Sequence, residues 1–318
     1  MMKKILITGG TGTVGKSFIE RYYNDYVFHT ISRNEKSITE LQRLFPNVNC
    51  HTGTVCDLDR MVNLFCNIKP DIVIHAAALK HVDIAEKSPS CAVDININGS
   101  LNIIKAGIRA SVPLTVGVST DKACAPTSIY GYTKSIMESL FMQYSNSITK
   151  FVCTRFANVA HSNGSVIPFW ISEAKKGNPL KLTDPGMNRL MFSKKECAET
   201  LEMAISSSTI IKDPFTLCKL MKSVNLLELS RLISDKGVEI TGKRPGEKLN
   251  ETLISEKELP YTSKDIPHIT SENYLSNEDG SYIIISLNKQ TNNLREEYSS
   301  LNAGAMTKQE MKGLIAAS

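Results

Sequence analysis

Residues 8–15 read Thr8-Gly9-Gly10-Thr11-Gly12-Thr13-Val14-Gly15 and directly follow an apolar strand predicted at 4–8. Glycines at this spacing let the backbone turn tightly and approach a pyrophosphate, which lies at the N-terminus of the next helix. A glycine pattern alone is a weak indicator, but between a strand and a helix it is a strong one. The segment therefore predicts a dinucleotide-binding βαβ unit whose cofactor is bound by Gly9, Thr11, Gly12, Thr13, Val14 and Gly15.

The first half of the chain alternates strand and helix patterns. Strands are predicted at 4–8, 26–31, 49–54, 71–76, 112–119 and 150–156, and helices at 12–23, 35–45, 57–68, 90–110 and 129–144. The continuous Ile-Val-Ile run within 71–76 suits a strand that is buried on both faces. The alternation predicts right-handed βαβ units, and hence an α/β fold with a Rossmann-type doubly wound parallel sheet.

The second half of the chain is less regular, because prolines and glycines interrupt its pattern. We predict a cofactor-binding domain at 1–157 and a smaller C-terminal substrate-binding domain at 158–318, with residues 211–236 returning to the first domain. The elements expected in that returning segment are a strand at 214–220 and a helix at 225–234. The last ~20 residues are expected to fray, as chain termini often do.

The composition is that of a globular enzyme, with 42% hydrophobic and 22% charged residues in a chain of 318. A net charge of +5 without a basic run gives no reason to expect nucleic-acid binding. The cysteines form no C-x-x-C pair and the histidines are scattered, so we predict reduced thiols and no metal site. The N-terminal apolar segment is too short for a signal peptide, and no apolar run reaches about 18 residues. We therefore expect a cytoplasmic protein without membrane insertion.

Titratable side chains cluster in the segment Ser119-Thr120-Asp121-Lys122 and, shortly after it, at Tyr130 and Lys134. A Tyr-x-x-x-Lys pair on a helix lies on one face, one turn apart. An ammonium beside a phenol favours the phenolate, so we expect Lys134 to lower the pKa of Tyr130 and make it a base at neutral pH. Asp121 and Lys122 add further proton-transfer capacity, unless they form only an ion pair that caps a turn.

The end of the second predicted strand indicates which dinucleotide binds. NAD-specific folds usually place an acid there to hold the ribose hydroxyls, whereas this chain reads Ser32-Arg33-Asn34-Glu35-Lys36. Serine and arginine suit a 2′-phosphate, so NADP is favoured over NAD. The candidate ligands there are Ser32, Arg33, Asn34 and Lys36. Asp57, after the third strand, either reaches the adenine or is the N-cap of its helix.

Longer motifs carry a family resemblance. They are Ser32-Arg33-Asn34-Glu35, Ala76-Ala77-Ala78-Leu79-Lys80-His81-Val82, Ser119-Thr120-Asp121-Lys122-Ala123, Arg155-Phe156-Ala157-Asn158-Val159, Gly164-Ser165-Val166-Ile167-Pro168, Thr183-Asp184-Pro185 with Arg189-Leu190-Met191-Phe192, and Lys243-Arg244-Pro245-Gly246-Glu247-Lys248. In this order they resemble the UDP-N-acetylglucosamine 4,6-dehydratases that invert C5, within the extended short-chain dehydrogenase/reductase superfamily. Two segments depart from the family pattern: Phe156-Ala157 replaces the usual Tyr-Gly, and His161-Ser162-Asn163 replaces Gly-Ser-Arg.

The resemblance implies a reaction in three steps. Tyr130 removes the sugar 4-hydroxyl proton as hydride leaves C4, while Lys134 lowers the Tyr130 pKa and holds the nicotinamide ribose. The C5 proton is then removed and the 6-hydroxyl leaves as water; Asp121 and Lys122 share these base and acid roles, and Thr120 hydrogen-bonds the 4-oxygen. Hydride returns to C6 and C5 is reprotonated on the opposite face, so the cofactor ends as it began.

A UDP-sugar is the substrate that the resemblance implies, with Ala76 and Ala77 lining the cofactor site and a homo-oligomeric assembly. We expect the substrate to be bound by Lys80, Asn158, Ser165, Val166, Arg189, Arg244 and Glu247. The two arginines would clamp the diphosphate. Glu247 either accepts from the nucleoside or pairs with Arg244. Surface charge is the alternative for Lys80, Arg189, Arg244 and Glu247.

Three other functions stay open: a C5-retaining 4,6-dehydratase, a nucleotide-sugar 4-epimerase that returns hydride to C4, and a non-catalytic NADP-sensing regulator. Retaining dehydratases and epimerases often carry a residue pair ending in Glu where this chain has Asp121-Lys122. The lysine therefore favours inversion by family analogy. Sensing proteins tend to lose the Tyr/Lys pair, which this chain keeps.

Overall fold

The computed structural model describes residues 2–266, 277, 280–287, 289–291 and 293–317. Its strands are β1 (Lys4–Thr8), β2 (Val27–Ser32), β3 (Asn49–Thr52), β4 (Ile72–His75), β5 (Leu114–Thr120), β6 (Lys150–Phe156), β7 (Asn158–Val159), β8 (Leu180–Leu182), β9 (Asn188–Phe192), β10 (Thr216–Lys219), β11 (Ser223–Asn225), β12 (Val238–Ile240), β13 (Thr252–Ile254), β14 (Thr262–Ser263), β15 (Tyr282–Ile285) and β16 (Tyr298–Ser299). Its helices are α1 (Thr13–Arg21), α2 (Glu35–Leu44), α3 (Leu58–Ile68), α4 (Val82–Lys87), α5 (Pro89–Ala92), α6 (Gly99–Arg109), α7 (Ile129–Tyr144), α8 (Val166–Lys175), α9 (Lys194–Ser207), α10 (Leu226–Ile233) and α11 (Lys308–Ala316).

A nine-stranded sheet organises the chain, in the order β14-β15-β10-β6-β5-β4-β1-β2-β3. The strands from β3 to β10 are parallel. At one edge β15 pairs antiparallel with β10, and β14 pairs antiparallel with β15. Helices α3 and α6 pack together, as do α1 and α9. The predicted α/β fold with a doubly wound parallel sheet is therefore confirmed. Because strand order reverses beside β1, ligands are expected at the carboxyl ends of β1 and β4.

A second hydrophobic core lies outside this sheet. It is centred on the fully buried Trp170 of α8 and includes Leu180, Leu229 and Leu314. The segment predicted to return to the first domain is divided: β10 joins the main sheet, whereas α10 packs in the second core. No helix in the described part of the chain is both long enough and apolar enough to cross a membrane.

Three helices of the second half, α8, α9 and α11, were not predicted. The prediction that the last residues fray is wrong for α11. Its N-cap Thr307 and Glu310 form a reciprocal capping box, and Met311 packs in the second core. The helix predicted at 90–110 is interrupted by a π-helical segment at Val93–Asn98. Its apolar pattern continues through the π turn, so the sequence reads as one helix.

The glycine loop after β1 brings backbone segments into close contact. Gly9 has φ +74°, a left-handed conformation that favours glycine. A Cβ atom on Gly15 would lie 2.5 Å from the Cα atom of Gly10. Gly15 thus allows α1 to pack against the loop that precedes it.

Replacing Gly15 with alanine tests this contact. We expect Gly15→Ala to lower the free energy of unfolding by about 1–3 kcal/mol, because the new methyl group meets backbone atoms that must shift. Gly313→Ala on α11 is the matched control: nothing lies within 4 Å of its Cβ position, and alanine should stabilise that helix by about 0.5–1 kcal/mol. Urea unfolding measures both changes. A Gly15→Ala protein as stable as wild type would contradict the packing argument.

Candidate active site

Two adjoining cavities lie at the carboxyl ends of the parallel strands. The first cavity, about 620 Å³, extends from the glycine loop to Tyr130 and Lys134. The second cavity, about 270 Å³, is bounded by the second core and the loop at 244–251. Lys80, Lys122 and Asn158 line both cavities. The chain therefore joins a dinucleotide-sized cleft to a smaller compartment through shared wall residues.

The first cavity fits a pyrophosphate at the start of α1. The N-cap Gly12 has no side chain, and no acidic residue lies in the first turn. The first-turn amide groups are thus left to bind an anion, which the helix dipole favours. Gly9, Thr11, Gly12, Thr13 and Val14, which the sequence analysis assigned to the cofactor, line this end. Gly15 does not line it and serves the helix packing described above.

Ser32, Arg33 and Asn34 line the first cavity at the end of β2, together with Ala76 and Ala77 at the end of β4. The Ser32 and Thr11 hydroxyls are 3.0 Å apart. Asn34 also caps α2, its side chain accepting a hydrogen bond from the Ser37 amide. Ser32 and Arg33 thus stand where an NAD-specific fold usually carries an acid.

Two predicted cofactor ligands lie outside the cavity lining. Asp57 is the N-cap of α3, where its carboxylate accepts a hydrogen bond from the Arg60 amide at 3.0 Å. Lys36 is exposed on α2 and lies 4.0 Å from the Glu40 carboxylate, one turn along the helix. For Asp57, the helix-capping alternative is the one that the structure contains.

Tyr130 and Lys134 both line the first cavity from α7. The Lys134 ammonium donates a 2.6 Å hydrogen bond to the Val118 carbonyl, and burial lowers the pKa of Lys134 to about 8. Burial raises the pKa of Tyr130 to about 12, opposed by the positive charge of Lys122 and a hydrogen bond with Thr120. The predicted effect of Lys134 on the pKa of Tyr130 is therefore wrong: Lys122 is the cation that lowers the pKa of this phenol.

The Asp121–Lys122 pair is placed asymmetrically. Asp121 is fully buried (0% exposed) and lines neither cavity. Its Oδ1 atom accepts hydrogen bonds from Thr120 Oγ1 at 2.9 Å and from Lys122 Nζ at 3.1 Å. Its Oδ2 atom has no hydrogen-bond partner among the described residues. Lys122, with 22% of its side chain exposed, reaches both cavities. Asp121 therefore lies behind Lys122, and Lys122 faces the cavities.

Glu251 is a site residue that the sequence analysis missed. Its carboxylate lies 3.7 Å from Lys122 Nζ, it is 3% exposed, and it lines the second cavity. Burial alone would lower the pKa of Lys122, but the carboxylates of Asp121 and Glu251 outweigh burial and raise it. The pKa of Glu251 is raised in turn, chiefly by burial. The only sequence signal was its position three residues after the motif that ends at Lys248.

Arg189 and its neighbours fix the loop that carries Glu251. The Arg189 guanidinium donates hydrogen bonds to the backbone carbonyls of Asn188, Lys248 and Leu249 at 2.8–2.9 Å, and lies 3.7 Å from the Glu247 carboxylate. Arg189 thus has a structural task that the sequence did not reveal, although it still lines the second cavity. Arg244 and Glu247 line that cavity too. The Glu247 carboxylate forms its ion pair with Arg189, and it also accepts a hydrogen bond from the Arg244 backbone amide at 3.2 Å.

The loop at 244–248 closes on the segment before α7. Lys248 Nζ donates to the Ala125 carbonyl, and Thr127 Oγ1 donates to the Gly246 carbonyl at 3.2 Å. Gly246 has φ +75°, and a Cβ atom there would lie 2.9 Å from the side chain of Ser128, the N-cap of α7. The loop and the helix that carries Tyr130 are thereby held against each other.

The remaining predicted substrate residues surround the passage between the cavities. Lys80 Nζ donates a 2.6 Å hydrogen bond to the Asn163 carbonyl, and burial lowers the pKa of Lys80. Asn158 donates to the Leu190 carbonyl at 3.0 Å. Ser165 is the N-cap of α8, and its buried hydroxyl has no hydrogen-bond partner among the described residues. Val166 lines the second cavity beside it. An unpartnered hydroxyl in this wall is available to a ligand.

Asn96, within the π-helical segment, is a second residue that the sequence analysis missed. Its side-chain amide exchanges hydrogen bonds with both backbone groups of Leu79, at 2.8 and 3.1 Å, and donates to Thr133 Oγ1 at 2.9 Å. It therefore connects the backbone next to Lys80 with α7. A π turn is often found at functional sites, but the sequence contains no local signal for one here.

Comparisons with known proteins agree with this arrangement. The family described as polysaccharide biosynthesis protein matches residues 5–272. The UDP-N-acetylglucosamine 4,6-dehydratase (inverting) of Campylobacter jejuni serotype O:23/36 is 32% identical over 93% of this chain and 91% of that protein. The UDP-glucose 4-epimerase of Rickettsia massiliae is 29% identical over 98% of this chain and 95% of that protein.

A crystal structure of Pen from Bacillus thuringiensis superposes with a TM-score of 0.85 and 31% identity, covering 98% of each chain. The similarity thus extends over the main sheet, the second core and both cavities. The chain belongs to the polysaccharide biosynthesis protein family, and is an enzyme of the short-chain dehydrogenase/reductase superfamily whose relatives are nucleotide-sugar 4,6-dehydratases and 4-epimerases.

Proposed function

We propose that this enzyme dehydrates UDP-N-acetylglucosamine to a UDP-4-keto-6-deoxy-hexosamine with inversion at C5, using NADP, for deoxy-amino-sugar biosynthesis. The observation that carries the proposal is the position of Lys122. Its ammonium lies at the wall shared by both cavities, and its positive charge acts to lower the pKa of Tyr130. The inverting dehydratase from Campylobacter, similar over almost the whole length, supports this reaction class. NADP is favoured because Arg33, and no acid, follows Ser32 at the cavity edge.

Tyr130 and Lys134 would serve the oxidation at C4. A bound nicotinamide supplies the acceptor and donor of hydride. Tyr130 takes the proton of the 4-hydroxyl, and its hydrogen bond with Thr120 and the positive charge of Lys122 both favour the phenolate that this requires. Lys134, fixed by the Val118 carbonyl, presents a buried ammonium to the first cavity, where it would hold the nicotinamide ribose.

Lys122 would serve the elimination at C5 and C6. Once C4 is a ketone, the C5 proton becomes acidic and the 6-hydroxyl leaves as water. The raised pKa of Lys122 favours its ammonium form, which can donate a proton to the departing oxygen. Asp121 holds Lys122 in place by its 3.1 Å hydrogen bond. Arg244 and Lys80 both line the second cavity and would neutralise the diphosphate there.

A 4-epimerase is the second candidate, because the Rickettsia relative bears that name over 98% of this chain. An epimerase returns hydride to C4 and leaves the 6-hydroxyl in place. Loss of one water mass from the sugar nucleotide therefore separates the two reactions, and deuterium at C5 after reaction in deuterated water reports proton exchange there. Nuclear magnetic resonance of the product identifies the face that received the deuterium.

Tyr130→Phe tests the assigned base. We expect at least a ~100-fold loss of water elimination from UDP-N-acetylglucosamine, measured by mass spectrometry, because the proton acceptor is removed. NADP binding should change little, since only one hydroxyl is lost. Tyr132→Phe is the matched control, because Tyr132 lies on the same helix and is 51% exposed. Unchanged turnover in Tyr130→Phe would refute the assignment.

Arg33→Ala tests the choice of dinucleotide. Removing a charge-assisted contact to the 2′-phosphate should weaken NADP binding by about ten- to a hundredfold and leave NAD binding unchanged. Arg43→Ala removes an exposed arginine from the far end of α2 and is the control. Calorimetric titration with each dinucleotide measures the effect. Equal losses for both dinucleotides, or none for NADP, would contradict a 2′-phosphate contact.

A further inference from the structure

We propose that residues 161–164 form a strap that closes the first cavity and retains NADP there, and that helix α11 holds this strap in place through His161. The inference rests on the proposed binding of NADP in the first cavity and not on the dehydration. It assigns a task to the segment His161-Ser162-Asn163, which departs from the family pattern. Exchange of the cofactor then depends on how often the strap opens.

The strap bridges two walls of the first cavity. The Asn163 amide donates a 3.0 Å hydrogen bond to Oγ1 of Thr13, the first residue of α1. The Asn163 carbonyl accepts a 2.6 Å hydrogen bond from Nζ of Lys80, in the segment that follows β4. Thr13, Lys80 and the strap residues Ser162, Asn163 and Gly164 all line this cavity. A ligand that lies between the glycine loop and the end of β4 is therefore enclosed by the strap on one side.

Two residues in the left-handed conformation give the strap its shape. His161 has φ +56° and Gly164 has φ +73°. A Cβ atom on Gly164 would lie 2.7 Å from Cε1 of His81. Glycine adopts this conformation without steric cost, and the family pattern has glycine where this chain has His161. The histidine is therefore stable in this conformation only if another contact holds it.

That contact is with α11. Nε2 of His161 donates a 3.1 Å hydrogen bond to the Leu314 carbonyl. Leu314 and Met311 of the same helix are buried in the second core, and Thr307 and Glu310 close its N-terminus with a capping box. His161 lines neither of the two cavities. Its side chain thus acts on the first cavity only through the strap.

The centre of the strap is held less firmly than the segments on either side of it. Asn163 is bound to Thr13 and Lys80 by two hydrogen bonds to side chains, and the strap has no apolar side chain to bury. The chain before it includes β7, and the chain after it forms α8, whose Trp170 is fully buried. Segments with few buried apolar contacts open locally far more often than a core does. The two hydrogen bonds of Asn163 can therefore break while the flanking segments stay in place, which opens the cavity.

A strap of this kind suits the proposed reaction. NADP ends each turnover in the state in which it began, so it need not leave the site between turnovers. An enzyme that consumes its cofactor would instead be slowed by such a strap. Lys80 carries three N–H donors, so it can hold the strap and still bind an anion in the second cavity, which it also lines.

His161→Gly tests the proposal in the full-length protein, because glycine keeps the left-handed conformation available and removes the hydrogen bond to α11. Stopped-flow fluorescence of NADPH measures the association rate constant on mixing and the release rate constant on displacement by excess NADP. Both entry and exit require opening. We therefore expect both rate constants to rise about two- to tenfold, as the loss of one hydrogen bond allows, and the dissociation constant to stay within about twofold of wild type. His161→Gln, whose amide can donate to the same carbonyl, should restore slow exchange in part.

Lys222→Ala is the matched control on α11. Nζ of Lys222 lies 2.6 Å from Oε1 of Glu310, so this variant also removes a polar contact of the helix but leaves the strap intact. It should exchange NADPH at the wild-type rate. Faster exchange in Lys222→Ala, equal to that in His161→Gly, would show that any loosening of α11 suffices and would contradict the assignment to His161.

A second pair of variants tests the other side of the strap, and decides the matter if His161→Gly does not fold. Thr13→Val removes the acceptor of the Asn163 amide, so we expect both rate constants to rise. Thr11→Val removes a hydroxyl from the same loop whose hydrogen bond is with Ser32, and it should not raise the association rate constant.

The proposal is overturned if His161→Gly exchanges NADPH at the wild-type rate. It is also overturned if only the release rate constant rises, because that is the effect of a lost contact with the dinucleotide and not of a strap that opens. A wild-type protein that binds no NADPH would instead refute the proposed cofactor.

Discussion

The ammonium of Lys122 is the group around which the site is assembled. Burying a charge is costly unless it is paired, and two carboxylates pair this one: Asp121 beside it in sequence and Glu251 from the C-terminal third. The first is part of the turn that ends β5, whereas the second requires the loop at 244–251 to close on that turn. The need to neutralise one partly buried cation therefore joins the sheet to the loop that completes the second cavity.

A buried guanidinium, that of Arg155, also stabilises the contact between the sheet and the C-terminal third. Arg155, at the carboxyl end of β6, forms two hydrogen bonds with Glu138 of α7, at 3.0 and 2.7 Å. It also binds Glu258 at 2.7 Å and the carbonyl of Leu253 at 2.8 Å. One side chain thus links a central strand, the helix that carries Tyr130 and the segment that follows Glu251. Because every group in such a network is satisfied, removing one partner would leave a buried charge uncompensated.

Local patterns account for what the sequence predicted well. The glycine loop, the parallel strands β1 to β6 and the joint position of Lys122, Tyr130 and Lys134 follow from periodicity and from the rule that ligands bind at the carboxyl ends of such strands. Helix α9 was missed because it is buried on nearly all sides, so polar Thr200 and Ser206 interrupt the apolar pattern without facing solvent.

The remaining errors concern properties that only tertiary structure creates. The pKa of Tyr130 depends on burial and on Lys122, not on the helical spacing to Lys134. Glu251 lies far from Lys122 in sequence, and no spacing rule joins them. The C-terminal strands have a further consequence for synthesis of the chain. Until β10 pairs with β6, β6 is an unpaired edge strand whose side chains are largely apolar. A nascent chain emerging from the ribosome therefore carries a self-association hazard that ends only when its late segments dock.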